Sequence, residues 1–144
     1  MEFAMSCQPA SRRTVLRGAA LAGAAGLGVA ACSPGESARG PVTPTAPVHL
    51  GSADEVPVGE AKLYRNDRLL VAQPVKGEFK AYSAVCTHKG CVLRKIEDGE
   101  AKCACHGSMF DPATGEVLDG PAGEPLLSVP VRLEGGKLVA GPSA

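Results

Sequence analysis

Material for a large core is short in this chain. Aromatic residues make up 3% of its 144 positions, with no Trp, two Tyr and three Phe. There is no excess charge, because 15 basic side chains balance 15 acidic ones. Sequence-independent binding to nucleic acid needs a basic face, so that class of partner is not expected. A membrane-spanning helix is not expected either. The apolar run Gly18–Ala31 has 14 residues and carries glycines at 18, 23, 26 and 28, whereas a span takes about 20 apolar residues. No phosphate loop, nucleophile motif or catalytic acid–base pair is visible. The chain is therefore not expected to transform a substrate alone, and any enzymatic label would belong to its complex. What it has in quantity is 18 Gly and 12 Pro, which predicts many tight turns and few long helices.

The N-terminal segment reads as an export signal. Arg12 and Arg13 precede the short apolar run, and paired arginines in that place indicate the twin-arginine route. The run ends Val29-Ala30-Ala31-Cys32, which resembles a bacterial lipoprotein cleavage box. On that reading residues 1–31 are the signal, and Cys32 is the lipidated new N-terminus. Losing residues 1–31, with Arg12, Arg13, Arg17 and Glu2, leaves 12 basic and 14 acidic side chains, a net charge of −2. Residues 32–47 form a Pro/Gly-rich tether. Its last 15 residues would reach roughly 45 Å if polyproline-like.

From Val48 to Ala144 the pattern changes to short apolar segments. Candidate strands are Lys62–Tyr64, Arg68–Gln73, Phe79–Ala84, Val92–Ile96, Glu100–Cys103, Glu116–Leu118, Leu127–Leu133 and Lys137–Ala140. Turn signals separate them, among them Asn66-Asp67, Asp98-Gly99 and Gly135-Gly136. This predicts an all-β domain at 48–144, an antiparallel β-sandwich or small barrel. A domain this small buries little of its unfolded surface, so a metal or a disulfide would add needed stability.

Four of the six cysteines and two of the three histidines lie between Cys86 and Phe110. Cys86-Thr87-His88 puts a thiol two residues from an imidazole, and Cys103-Ala104-Cys105-His106 puts one three residues away. The 14 residues between His88 and Cys103 read as a hairpin around Asp98-Gly99. A hairpin brings its ends together, so the two pairs should converge on two neighbouring loops. Two thiolates and two imidazoles suit zinc or an iron–sulfur cluster. Structural zinc sites usually keep their cysteines and histidines in separate pairs, which is not the pattern here. The third histidine, His49, stands alone and is expected at the surface.

C-T-H-x-G-C followed by C-x-C-H-G-S-x-F resembles the two boxes of Rieske iron–sulfur proteins, in which two His replace two Cys on one iron of a [2Fe–2S] cluster. The resemblance implies one such cluster, with Cys86 and Cys103 on one iron and His88 and His106 on the other. It implies a cluster-binding subdomain of two loops within the β-sandwich. In members from cytochrome bc1-type complexes a disulfide ties the two boxes, and the matching residues are Cys91 and Cys105. Ring-dioxygenase relatives resemble this chain in the four ligands but lack that pair. Ser108 matches a serine that donates to the cluster, and Phe110 stands where those members carry Tyr. Gly120-Pro121-Ala122 with Pro125 resembles the proline loop that covers the cluster. A disulfide persists outside the reducing cytosol, which agrees with export to the outer face of the cytoplasmic membrane.

Three functions follow as expectations. The first is the iron–sulfur subunit of a cytochrome bc1-like respiratory quinol oxidase. It would take one electron at the His-ligated iron, with His106 or His88 coupling to quinol and proton, and pass it to a cytochrome b- or c-type partner. The second is a small electron-transfer subunit or partner of another exported oxidoreductase. The third is an exported zinc-binding interaction module.

Overall fold

Leu69-Leu70-Val71-Ala72-Gln73 is buried along its whole length, so this strand must be covered on both faces. The computed structural model describes residues 43–142 and 144. The segment expected to be an export signal, Cys7, Cys32 and the first part of the expected tether lie outside the described residues. Three antiparallel sheets make up the fold. The first runs β1 (Val48–Ser52), β11 (Lys137–Ala140), β10 (Val131–Glu134). The second runs β2 (Ala61–Tyr64), β3 (Leu69–Val75), β4 (Glu78–Ser83), β9 (Ser128–Val129). The third runs β5 (Lys95–Glu97), β6 (Glu100–Lys102), β7 (Met109–Phe110), β8 (Val117–Asp119). A 3-10 turn, Ala53–Glu55, follows β1. Among the described residues no helix is long and apolar enough to cross a membrane.

Strand alternation divides the core in two. Leu69, Val71 and Ala81 face the first sheet and pack with Leu50, Val56, Leu138 and Ala140. Leu70 and Tyr82 point the other way and join Ala84, Cys86, Leu93, Ala101, Cys103 and Phe110. The second sheet is thus the middle layer, and its other face forms the floor under the cysteine loops. Buried Gln73 is satisfied: its Nε2 donates to the Val56 carbonyl and its Oε1 accepts from the Gly77 N–H.

Several predicted strands differ from the observed ones. Leu127–Leu133 is two strands, because Pro130 has no N–H to continue a ladder. Ser128–Val129 pairs with β4, and Val131–Glu134 pairs with β11 in a different sheet. Of Val92–Ile96, only the end joins the β5–β6 hairpin; Val92 instead bridges Val85. β1 was not predicted, and neither was β7, which has two residues. Asp98 and Gly99 both have positive φ, 56° and 78°, as a two-residue hairpin turn requires. Ala46, in the segment expected to be a tether, packs against the domain: a Cβ on Gly141 would lie 2.8 Å from its carbonyl oxygen.

Candidate metal centre

Two loops rise from the floor with the same backbone wiring. In the first, the Cys86 N–H donates to the Cys91 carbonyl (2.7 Å) and the Gly90 N–H donates to the Cys86 carbonyl (2.9 Å). In the second, the Cys103 N–H donates to the Ser108 carbonyl (2.9 Å) and the Gly107 N–H to the Cys103 carbonyl (3.1 Å). Gly90 and Gly107 carry φ of 79° and 80°, a conformation costly for any residue with a Cβ. This explains the glycine in each box. The first loop is closed at its base by the Val85–Val92 bridge, and the second by the Lys102–Met109 pair of β6 and β7.

Each loop buries its leading cysteine and lifts its histidine. Cys86 and Cys103 are free thiols in the apolar core, 2% and 3% exposed. His106 is exposed and His88 half-buried. Their rings meet edge to face with centroids 4.7 Å apart. His88 Nδ1 is buried and has no hydrogen-bond partner among the described residues, which is a costly arrangement unless something else binds there. Burial pushes the Cys86 thiol pKa up, against the opposing effect of the His88 backbone N–H. Burial also pulls His88 down, helped by the neighbouring His106 and Lys89. Cys91 and Cys105 form a disulfide that ties the two loops, with Cα atoms 6.5 Å apart. The sulfurs of Cys91, Cys103 and Cys105 lie within 4.8 Å of one another. Two of these three are spent on the disulfide, so Cys103 alone offers a free thiol in that group.

A third loop, 120–125, closes over both. The buried Ser108 hydroxyl accepts from the Ala122 N–H (3.2 Å) and faces the Cys86 thiol. The Thr87 hydroxyl donates to the Glu124 carbonyl (2.6 Å). Gly120, at φ 96°, sits so close to the second loop that a Cβ there would lie 2.5 Å from Ser108 Cα. Sequence reasoning placed Gly120 in the covering loop but not its close approach to Ser108, and it missed the part played by Thr87. Thr87 sits inside a motif whose other residues draw the attention, and its partner is 37 positions away. Phe110 is fully buried beneath the site, in the same cluster as Cys86 and Cys103. His49 lies on β1, exposed and remote in sequence from both loops.

A family profile described as Rieske [2Fe-2S] domain matches residues 43–130. The cytochrome b6-f complex iron-sulfur subunit of Chlorobaculum thiosulfatiphilum is 36% identical over 92 residues, 62% of this chain and 50% of that protein. The chain thus spans about half the length of that relative. The biphenyl dioxygenase ferredoxin subunit of Pseudomonas sp. strain KKS102 is 39% identical over 88 residues, 58% of this chain and 81% of that one. Among solved structures, the plasma membrane Rieske protein of the cyanobacterium Synechocystis PCC 6803 superposes with a TM-score of 0.52. That match has 24% identity and covers 65% of this chain and 97% of the other; it supports the fold.

Proposed function

From the premise that this chain belongs to the Rieske [2Fe–2S] domain family and is an iron–sulfur electron-transfer protein, we propose that it is the iron–sulfur subunit of a cytochrome bc1-like quinol oxidase. Cys86 and Cys103 hold one iron on this reading, and His88 and His106 the other. The residues fit such a group. Two thiols are free and buried, and a buried Nδ1 without a partner among the described residues belongs to a histidine whose ring meets the second histidine edge to face. When bound, a [2Fe–2S] cluster supplies a one-electron redox centre. Nδ1 of His88 faces inward, which leaves Nε2 to hold or release a proton. His106, the more exposed of the two, is the nearer contact for a quinol or a redox partner. The 120–125 loop excludes water from the cysteine side, and Ser108 offers its hydroxyl to Cys86.

The observation that carries the choice of class is the Cys91–Cys105 disulfide. It ties two loops that have core on one side only, and it persists only outside a reducing compartment. With the paired arginines and Cys32, this supports a subunit exported by the twin-arginine route. It would be held by an N-terminal lipid at the outer face of the cytoplasmic membrane, passing electrons to a cytochrome. The test is purification from membranes with the cluster intact. Co-purification of a cytochrome b and quinol-dependent reduction of the cluster are expected. Reduction by a soluble oxidoreductase, with no response to quinol, would reassign the partner.

A further inference from the structure

One contact at the site has no part in electron transfer. The free thiol of Cys103 lies within 4.8 Å of both sulfurs of the Cys91–Cys105 disulfide. Thiol–disulfide exchange needs a thiolate, a disulfide sulfur within reach and no outside oxidant. Folding holds all three sulfurs within 4.8 Å, so exchange among them is an intramolecular step that needs only a small approach to attack distance. A sulfur bound to iron shares an electron pair with the metal and is a weaker nucleophile than the free thiolate.

We propose that Cys103 is a built-in nucleophile for the neighbouring disulfide, restrained only while it ligates iron. The proposal rests on the reading of Cys103 as a ligand. In the chain without its cluster, the Cys103 thiolate attacks Sγ of Cys105. The Cys103–Cys105 bond forms, the Cys91–Cys105 bond breaks, and Cys91 leaves as a thiolate that takes up the proton Cys103 gave up. Attack on Cys91 instead forms Cys91–Cys103 and releases Cys105. Either way the chain keeps the same number of thiols and disulfides, but Cys103 no longer has a thiol for iron. A metal-free chain that has already closed its disulfide thereby removes one of its own ligands. Disulfide closure in the metal-free chain thus opposes cluster insertion.

The experiment starts from the full chain with cluster and disulfide in place. Iron is removed anaerobically with a chelator. The chain is then held at about pH 8 without reductant or oxidant. Samples are acid-quenched, alkylated and cut with trypsin. Cleavage after Lys89, Arg94 and Lys102 separates the Gly90–Arg94 peptide, which carries Cys91, from the peptide that begins at Cys103. The expected result is loss of the Cys91–Cys105 link at constant thiol count. Gly90–Arg94 then appears free and alkylated, or fragment ions place Cys91 on Cys103. C86S, also unable to hold the cluster, should exchange equally, and C103S should not. If Cys91–Cys105 stays the sole link in the metal-free chain, with Cys103 protected before iron removal and alkylated after it, the exchange proposal is overturned. If Cys103 reacts at the same rate before and after iron removal, its role as ligand is overturned instead.

Discussion

At the scale of single residues, the site is tuned by who donates to the sulfurs. Reduction adds negative charge, so a donor to a ligand or cluster sulfur favours the reduced form. Ser108 is buried, accepts from Ala122 and faces Cys86. Replacing it with Ala removes one donor at a charged acceptor, worth about 1.5–3 kcal/mol. For one electron that is a fall of roughly 60–130 mV, readable by voltammetry of S108A. Phe110 is the converse case. It is buried in the cluster with Cys86 and Cys103 and has no hydroxyl to give. F110Y should raise the potential by a similar amount, and an unchanged potential would show that position 110 does not reach the sulfurs. These residues were legible in the sequence because their chemistry is local: the glycines and the thiol–imidazole pairs sit within six positions of each other in each box.

At the scale of elements, the three loops stand or fall by how they are seated. Thr87 and Gly120 clamp the 120–125 loop by different means, a hydrogen bond and a close backbone approach. T87V removes the bond, at about 1 kcal/mol. G120A forces a Cβ against the Ser108 backbone at a strained φ, at roughly 1–3 kcal/mol. Chelator-driven bleaching of the holoprotein should therefore accelerate in both, and more in G120A; equal, unchanged rates would mean that the loop does not shield the cluster. Tyr82 supports the turn behind this loop. Its hydroxyl donates to the Ala113 carbonyl (3.0 Å), and its ring lies on Gly115. Burial raises its pKa, and the Asp111 charge adds to that. A phenol raised in the folded state contributes stability that is complete below the unfolded value, about 10, and is lost as pH rises through the folded one. Thermal stability should thus fall on the alkaline side, and Y82F should flatten that decline. The elements themselves were only partly legible. β1 pairs with β11 at the far end of the chain, and no local pattern announces such a partner. The switch of sheets at Pro130 was hidden because Leu127–Leu133 keeps its strand-like composition across the proline.

At the scale of the whole molecule, two cores share one middle sheet, and only one of them lies beneath the metal centre. The upper part of the site therefore depends on covalent ties. Closing the 14-residue separation between Cys91 and Cys105 is worth about 3 kcal/mol in the chain-entropy account. The double variant C91S/C105S should lose that in folding free energy and bleach faster, while its β-domain keeps its strand content. A variant as stable as the parent would remove the disulfide from the account. Fold class was visible from the short apolar segments and the turn signals between them, whereas the layering was not, because it follows from which face of β3 each neighbour covers.

The central claim is that Cys86, His88, Cys103 and His106 hold one [2Fe–2S] cluster. Metal and sulfide analysis joined to electron paramagnetic resonance of the dithionite-reduced protein tests it most directly. The account predicts two irons and two sulfides per chain, with a signal that appears on reduction and carries nitrogen couplings from two histidines. H88C or H106C should each remove one of those couplings. A zinc-loaded, colourless protein with no signal on reduction would contradict it.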